Sequence, residues 1–206
     1  MPNILNRKFQ YSFWNVNMMI VALNVIIFFI ATYFYPYLNY VLAMMPLRIL
    51  AEPSSIYTFV TYMFAHSGIP HLFSNMLGLL IFGTILERRI GSKEYLLYYL
   101  VCGSMAGVLS FVFYYFSHSY FVFLIGASGA LYAVMLLFAI FFPDAVVFVF
   151  GIIPMRAITL VIFYFIIEFA SSFLSDGISH VTHLFGLFTG LLYILIRMRI
   201  NPFRRR

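Results

Sequence analysis

Long apolar runs separated by short polar stretches dominate the chain. Six runs can be delimited: Val16–Tyr35, Leu72–Leu86, Tyr95–Phe116, Ser128–Phe142, Ala157–Phe173 and Val181–Met198. An α-helix needs roughly 20 apolar residues to cross a bilayer, and most of the runs are near that length. Because no flexible linker or change of composition divides them, the pattern predicts an all-α membrane protein, a bundle of six transmembrane helices in a single domain over residues 1–206.

The composition agrees with lipid as the main solvent. The chain has 206 residues, of which 64% are hydrophobic and 9% are charged, and its mean hydropathy is +1.01. A water-soluble domain carries far more charge at its surface. The first apolar run lacks a small-residue cleavage site, so we expect it to remain as a permanent helix. The one cysteine, Cys102, cannot form an intrachain disulfide.

The basic residues predict the orientation of the helices. They cluster before the first run, between the second and third, before the fifth and after the sixth: Arg7, Lys8, Arg88, Arg89, Lys93, Arg156, Arg197, Arg199, Arg204, Arg205 and Arg206. All of these fall on one side if both termini are cytoplasmic, and Arg48 alone falls on the other. The positive-inside rule therefore places both ends in the cytoplasm. The net charge of +6 is then a topology signal, and no nucleic-acid partner is expected.

The fourth run is short. If its helix begins at Ser128, between Gly126 and Gly129, about 15 residues rise only about 22 Å, less than the roughly 30 Å hydrocarbon core. The preceding Phe121–Ala127 would then be non-helical backbone at membrane depth, which is tolerated only when protein covers it or a wet cavity adjoins it. One continuous helix from Tyr120 to Phe142 is the alternative that periodicity leaves open.

Few polar side chains fall at the ends of these runs, and four of them suit peptide hydrolysis. A serine hydroxyl needs an adjacent base before it attacks a carbonyl, and the oxyanion that forms needs fixed donors. Ser128 and His183 fit the first requirement. His71 and Asn75, four residues apart on one helix face, fit the second together with the backbone N–H of Ser128. Membrane-embedded polar groups are functional suspects in general.

Small residues next to Ser128 and His183 predict close helix contact. Gly126 and Gly129 would let a substrate backbone approach the serine. Gly129-x-x-x-Ala133 and Gly186-x-x-x-Gly190 are small-residue faces of the kind that lets two membrane helices approach closely. Ordinary packing explains either face alone, and their position next to Ser128 and His183 favours the catalytic interpretation.

Four motifs stand in the order and spacing of the rhomboid family of intramembrane proteases, which the chain resembles from about Tyr57 to Tyr193. They are His71-x-x-x-Asn75, Glu87-Arg88-Arg89-Ile90-Gly91, Gly126-Ala127-Ser128-Gly129 and His183-x-x-Gly186-x-x-x-Gly190. The resemblance implies the six-helix rhomboid fold and a Ser–His dyad without a third carboxylate. It also implies single-span membrane proteins as substrates, no cofactor or metal, and a minimal prokaryotic member in the cell (inner) membrane.

Roles carried over from the family fall on particular positions. Ser128 is the nucleophile, His183 is the base, and His71 with Asn75 lines the oxyanion hole. Two supporting residues are Tyr132, which matches an aromatic packed on the catalytic imidazole, and His66, which matches a histidine near the oxyanion site. Many rhomboids carry a Trp-Arg pair in the first loop where this chain has Tyr57-Thr58, which puts the stability of that loop in doubt. We assign Glu87 and Arg89 to structure, as groups that pin loops and have partners at helix ends.

Other functions remain alternatives. A small transporter predicts inverted repeats, which the sequence lacks, and a non-catalytic rhomboid-like binder would normally lack Ser128 or His183. A zinc protease is disfavoured because neither a His-Glu-x-x-His motif nor a carboxylate accompanying the histidines is evident. An aspartyl protease needs two membrane-embedded aspartates, whereas Asp144 and Asp176 fall in loops. Glu168 stays unexplained, since a carboxyl deep in a membrane helix should be neutral or paired.

Overall fold

The computed structural model describes residues 9–149, 151–174 and 179–202. Its helices, numbered along the chain, are α1 Val16–Phe34, α2 Leu38–Leu42, α3 Pro46–Ala51, α4 Thr58–Thr61, α5 Ile69–Ile90, α6 Ser92–Phe116, α7 Ser128–Phe141, α8 Ala157–Ser171 and α9 His180–Met198. Short 3₁₀ turns cover Pro53–Tyr57 and Tyr62–Phe64, and π-type turns lie in α1, α5 and α9 at Ile30–Phe34, Leu79–Gly83 and Ile194–Met198.

Each predicted apolar run coincides with one of these helices. Four of them, α1, α5, α6 and α9, are long and apolar enough to cross a membrane, while α7 and α8 are shorter apolar helices. The chain is therefore a mostly helical integral membrane protein. Several charges that support the predicted orientation (Arg7, Lys8, and Arg204 to Arg206) lie outside the described residues, as does Asp176.

A hairpin between α7 and α8 departs from the all-α prediction. Strands β1 Val146–Val149 and β2 Ile153–Arg156 pair antiparallel, with Val146 opposite Arg156. Gly151 takes φ 73°, a left-handed conformation that glycine adopts without steric cost. The prediction missed the hairpin because two four-residue apolar strands give too short a pattern to separate from a loop.

Helix α7 lies at the centre of the bundle and is covered along most of its length. Its contact with α9 depends on glycine, because a Cβ built at Gly186 would lie 2.1 Å from the Gly129 carbonyl oxygen. One turn further along, a Cβ at Gly190 would lie 3.0 Å from that of Ala133. The small-residue faces predicted from the sequence therefore do pack together, and they bring the start of α7 to the start of α9.

The non-helical segment that precedes α7 is hydrogen-bonded to the loop between α1 and α5. Met44 and Leu124 exchange two backbone hydrogen bonds of 3.0 and 2.9 Å, and the Leu47 N–H donates to the Tyr120 carbonyl at 2.9 Å. The alternative of one continuous helix from Tyr120 is therefore wrong. Because these backbone groups bond to protein, they meet the condition for irregular structure at membrane depth, and α7 is free to begin at Ser128.

An arginine braces the same loop from a position outside the family motif. The Arg48 guanidinium donates to the carbonyls of Tyr40 and Val41 at 2.9 and 3.1 Å, and to the Tyr57 hydroxyl at 2.8 Å. It also lies over the rings of Tyr40 and Tyr57. Arg48 thus supplies polar contacts for the loop although Tyr57-Thr58 replaces the Trp-Arg pair.

The family motif that contains Glu87 pins the start of α1. The buried Glu87 carboxylate accepts hydrogen bonds from the backbone N–H groups of Val16 and Asn17 at 2.7 and 2.9 Å, and from the Ser92 hydroxyl at 2.5 Å. A carboxylate at a helix N-terminus accepts hydrogen bonds from the free N–H groups there, and its negative charge is stabilised by the positive end of the helix dipole. The structural role predicted for Glu87 is confirmed. Arg89 lies over the Phe141 ring at the end of α7.

Candidate active site

Ser128 and His183 meet where α7 and α9 begin. Ser128 is the first residue of α7, and His183 lies in the first turn of α9. The Ser128 Oγ is 2.8 Å from the His183 Nε2, a hydrogen-bond distance at which imidazole can accept the hydroxyl proton. The short α7 and the glycine contact at Gly186 set this geometry, because together they bring the starts of the two helices next to each other.

The tyrosine predicted to support the base lies against it. The ring centroids of Tyr132 and His183 are 4.5 Å apart, and their planes differ by 7°. Tyr132 is one turn beyond Ser128 on α7, so one helix carries both the hydroxyl and the surface against which the imidazole packs. This stacking limits rotation of the His183 ring.

The expected oxyanion residues lie on α5, where His71 packs against Gly126, two residues before the serine. A Cβ built at Gly126 would lie 2.6 Å from the His71 Nε2 and 3.7 Å from the Ser128 Oγ, so the His71 ring can occupy this position only because residue 126 has no side chain. Gly126 also has φ 118°, which disfavours any other residue. The Asn75 amide donates to the His71 carbonyl at 2.8 Å, inside its own helix.

Two further residues contact His71. The His66 ring lies edge-on to it, with centroids 5.0 Å apart, and burial together with the neighbouring His71 lowers the pKa of His66 to about 3. His66 is therefore neutral at physiological pH. Sequence reasoning missed Ser67, whose hydroxyl oxygen is 3.0 Å from the His71 Nδ1. Its place four residues before His71 was the available signal.

Glu168 on α8 turns out to be part of the same cluster. Its side chain is 7% exposed, and its Oε2 is 2.5 Å from the His180 Nδ1 and 2.9 Å from the His183 Nδ1. The Tyr132 hydroxyl donates to Oε1. Towards His183 the carboxylate oxygen lies off the N–H direction, so this contact is mainly one of charge. The family resemblance implies a dyad without a third carboxylate, and the structure places the Glu168 carboxylate next to the expected base.

Zinc was disfavoured from the sequence because no carboxylate was expected near the histidines, and this cluster contains one. Glu168, His180 and His183 offer ligand atoms within 4.8 Å of one another, so a carboxylate does accompany two of the histidines. Zinc would need each ligand atom at roughly 2.0–2.2 Å from the ion. Here one carboxylate oxygen lies 2.5 and 2.9 Å from the two Nδ1 atoms. These are hydrogen-bond and ion-pair distances between the groups themselves.

Comparison with known proteins places this site in a family. The sequence model of the rhomboid domain matches residues 53–200. RHOMBOID-like protein 12, mitochondrial, from Arabidopsis thaliana is 34% identical over 125 residues, which cover 52% of this chain and 36% of the relative. The rhomboid protease GlpG of Haemophilus influenzae is 26% identical over 150 residues, covering 73% of this chain and 74% of the relative.

A third relative, the putative rhomboid protease YdcA from Bacillus subtilis, is 27% identical over 135 residues, 65% of this chain and 63% of its own length. The chain thus spans less than two thirds of the plant and Bacillus relatives. The stretch matched by the rhomboid domain is most of the chain and contains every residue of the site from His66 to His183. The chain therefore belongs to the rhomboid family.

Proposed function

We propose that the protein is an intramembrane serine protease that cleaves transmembrane segments of single-span membrane proteins. The observation that carries the proposal is the 2.8 Å contact between the Ser128 Oγ and the His183 Nε2 inside a rhomboid-family helical bundle. Ser128, His183 and His71 are each half-buried. The site is therefore sheltered by the bundle and still accessible to a substrate from outside it.

The proposed architecture follows from the helix lengths and the charges. All of residues 1–206 form one rhomboid-like domain, and α7 and α8 complete a set of six spans. Both termini face the cytoplasm of a prokaryotic cell, because most basic residues lie at that end of the helices. The active site then opens towards the other side, where the loop that packs against Leu124 also lies.

The proposed reaction uses groups of the protein and water. His183 accepts the Ser128 proton as Oγ attacks the peptide carbonyl, and an acyl-enzyme forms when the amine leaves with that proton. Water then attacks the ester, again with His183 as base, and releases the acid. The His71 ring, Asn75 and the Ser128 backbone N–H stabilise the oxyanion. If Ser67 donates to the His71 Nδ1, the Nε2 of that ring carries the proton and is a donor.

The substrate must present a locally unwound segment. A helical substrate keeps its carbonyls in hydrogen bonds to the residue four positions on, so Ser128 cannot attack them. Glycine or proline near the cut weakens that helix. Small side chains at the cut suit the crowded surroundings of Gly126, where the His71 Nε2 leaves no room for a Cβ.

Cleavage of a tagged single-span substrate by the purified protein in detergent tests the proposal, beside Ser128→Ala and His183→Ala. The parent should cleave, and both variants should lose at least about 10²-fold in rate. A metal chelator should leave the parent rate unchanged. Cleavage that survives Ser128→Ala contradicts the proposal, and an inactive parent would return attention to a transporter or a non-catalytic binder.

A further inference from the structure

Glu168 is a buried carboxylate beside the Ser–His pair, and the reaction proposed above assigns it no role. Burying an ionised carboxylate is costly unless it is paired and hydrogen-bonded. Here the pairing groups are the two imidazoles of His180 and His183 and the Tyr132 hydroxyl. A side chain needed only to fill space between α7 and α8 would not have to be charged.

The position of the carboxylate bears on how His183 works. Its two ring nitrogens face different groups: Nε2 faces the Ser128 Oγ at 2.8 Å, and Nδ1 faces the Glu168 Oε2 at 2.9 Å. An imidazole that accepts a proton at Nε2 must carry its own proton at Nδ1. A carboxylate next to Nδ1 favours that tautomer, and it also favours the imidazolium that forms during the attack.

We infer that Glu168 is a positioning residue of this protease, which holds His183 as the Nδ1–H tautomer and stabilises its imidazolium when Nε2 takes the Ser128 proton. The inference rests on the proposed function. In the step itself one proton moves from Oγ to Nε2, the Nδ1–H bond stays intact, and the positive charge lies beside the carboxylate. Glu168 neither gains a proton nor touches the substrate.

A second role for Glu168 must be separated from this one. Between Val161 and Ser171, Glu168 is the one buried residue of α8, so its contacts also attach that half of the helix to α7 and α9. A purely structural tether would survive replacement of the carboxylate by an amide of the same shape, because an amide still offers hydrogen bonds to Tyr132 and His180. The tautomer role would not survive it, since an amide N–H facing Nδ1 favours the wrong tautomer.

Glu168→Gln is therefore the discriminating variant, and Glu168→Asp is the conservative one that keeps the charge. Glu94→Gln is the matched control, because Glu94 is a carboxylate of α6 that accepts from Arg197 at 2.9 Å and Tyr193 at 2.7 Å. Each variant is measured for thermal unfolding and for cleavage rate against pH. Groups facing His183 that can affect the profile are Ser128, Tyr132, Glu168, His180 and His71.

Glu168→Gln should unfold near the parent temperature and lose at least about tenfold in kcat. Its pH–rate profile should differ from that of the parent, because the carboxylate beside His183 is gone. Glu168→Asp should recover part of the rate and keep the parent profile. Glu94→Gln should match the parent in both rate and profile.

Parent-like rate and profile in Glu168→Gln would overturn the inference and leave the proposed function intact. Cleavage that persists in Ser128→Ala would overturn both. If Glu168→Gln folds poorly, ¹⁵N-histidine NMR of the parent and of Glu168→Asp decides the matter. Both should show His183 protonated at Nδ1 at neutral pH, and a resonance for the Nε2–H tautomer would contradict the inference.

Discussion

Two parts of the bundle are built in opposite ways. Helices α7 and α9 pack through Gly129, Ala133, Gly186 and Gly190 with their backbones almost in contact. Helix α8 carries large side chains, and beyond Val161 most of them face outward. The first arrangement fixes a distance between two backbones. The second leaves one face of α8 uncovered, and beyond Val161 the one buried residue of this helix is Glu168.

This difference explains which residues of the site are rigid. Ser128 and Tyr132 lie on α7 and His183 lies on α9, so the contact that matters most for chemistry joins the two closely packed helices. Glu168 alone comes from the loosely packed α8. Because α8 has few buried residues, we expect it to be mobile. The Glu168 carboxylate connects this helix to the His183 ring.

The largest effect should follow from adding a methyl group between α7 and α9. In Gly186→Ala the new Cβ would lie 2.1 Å from the Gly129 carbonyl oxygen, and backbone cannot move aside as a side chain does. We expect destabilisation of about 3 kcal/mol or more, the upper end for overpacking, and loss of most of the activity. Thermal unfolding and cleavage assays measure both.

The control for that change is Gly68→Ala. At Gly68 the nearest atom to a built Cβ is the Pro70 Cδ at 3.9 Å, an ordinary contact. Its unfolding temperature should stay near that of the parent. Equal unfolding temperatures for the Gly186→Ala and Gly68→Ala variants would mean that the helices are not held as closely as the structure shows.

The next effect should be on chemistry more than on stability. Gly126→Ala places a Cβ 2.6 Å from the His71 Nε2 and forces alanine to φ 118°. His71 must move away from the oxyanion site, so we expect kcat to fall by about 10²-fold, as for loss of one oxyanion donor. Steady-state kinetics should show this in kcat. A change confined to KM would contradict the placement of His71 beside the reacting carbonyl.

The attachment of α8 can be weakened by removing one atom. Tyr132→Phe removes the hydroxyl that donates to Glu168 and keeps the ring stacked on His183. A hydrogen bond to a charged group contributes about 1.5–3 kcal/mol, so the unfolding temperature should fall while activity falls less than in Glu168→Gln. Hydrogen exchange should rise in α8 and stay unchanged in α7. Equal exchange in both helices would remove the distinction between them.

The smallest effect should come from the outer face of α8. Phe165 is 49% exposed there, and Phe165→Ala should change the unfolding free energy by no more than about 0.5 kcal/mol. Leu160→Ala on the same helix is the matched comparison, since Leu160 is 3% exposed and a buried leucine costs about 2–5 kcal/mol. A large loss in Phe165→Ala would show that another surface covers this face.

Much of the fold was readable from the sequence because lipid imposes a simple rule on it. Each apolar run became a helix. Gly126, Gly129 and the short run after Ser128 pointed to the start of α7, although the sequence left a continuous helix from Tyr120 open. The short hairpin at Val146–Arg156 was missed because it has too few residues for a period. Arg48 was recognised as the exception in the charge pattern, yet its contacts with Tyr40 and Tyr57 depend on how the loop folds.

Most residues of the candidate site could be predicted from the sequence, but the contacts of Glu168 could not. Ser128, His183, Gly126 and His71 belong to motifs with fixed spacing, and the structure brings them together. Glu168 stands out in the sequence as a carboxyl in a membrane helix, but its partners lie on α7 and α9. The rotation of α8 about its axis decides which of them it meets, and an apolar helix with aromatic residues on several faces gives no periodic signal for that rotation.

Covalent labelling of the Ser128 hydroxyl with a fluorophosphonate tests directly whether His183 activates Ser128. The serine Oγ attacks phosphorus, fluoride leaves, and the adduct is located by mass spectrometry. We expect rapid labelling at Ser128 in the parent, none at that position in Ser128→Ala, and a rate at least about 10²-fold lower in His183→Ala. Labelling of Ser128 at the parent rate in His183→Ala would contradict this role of His183.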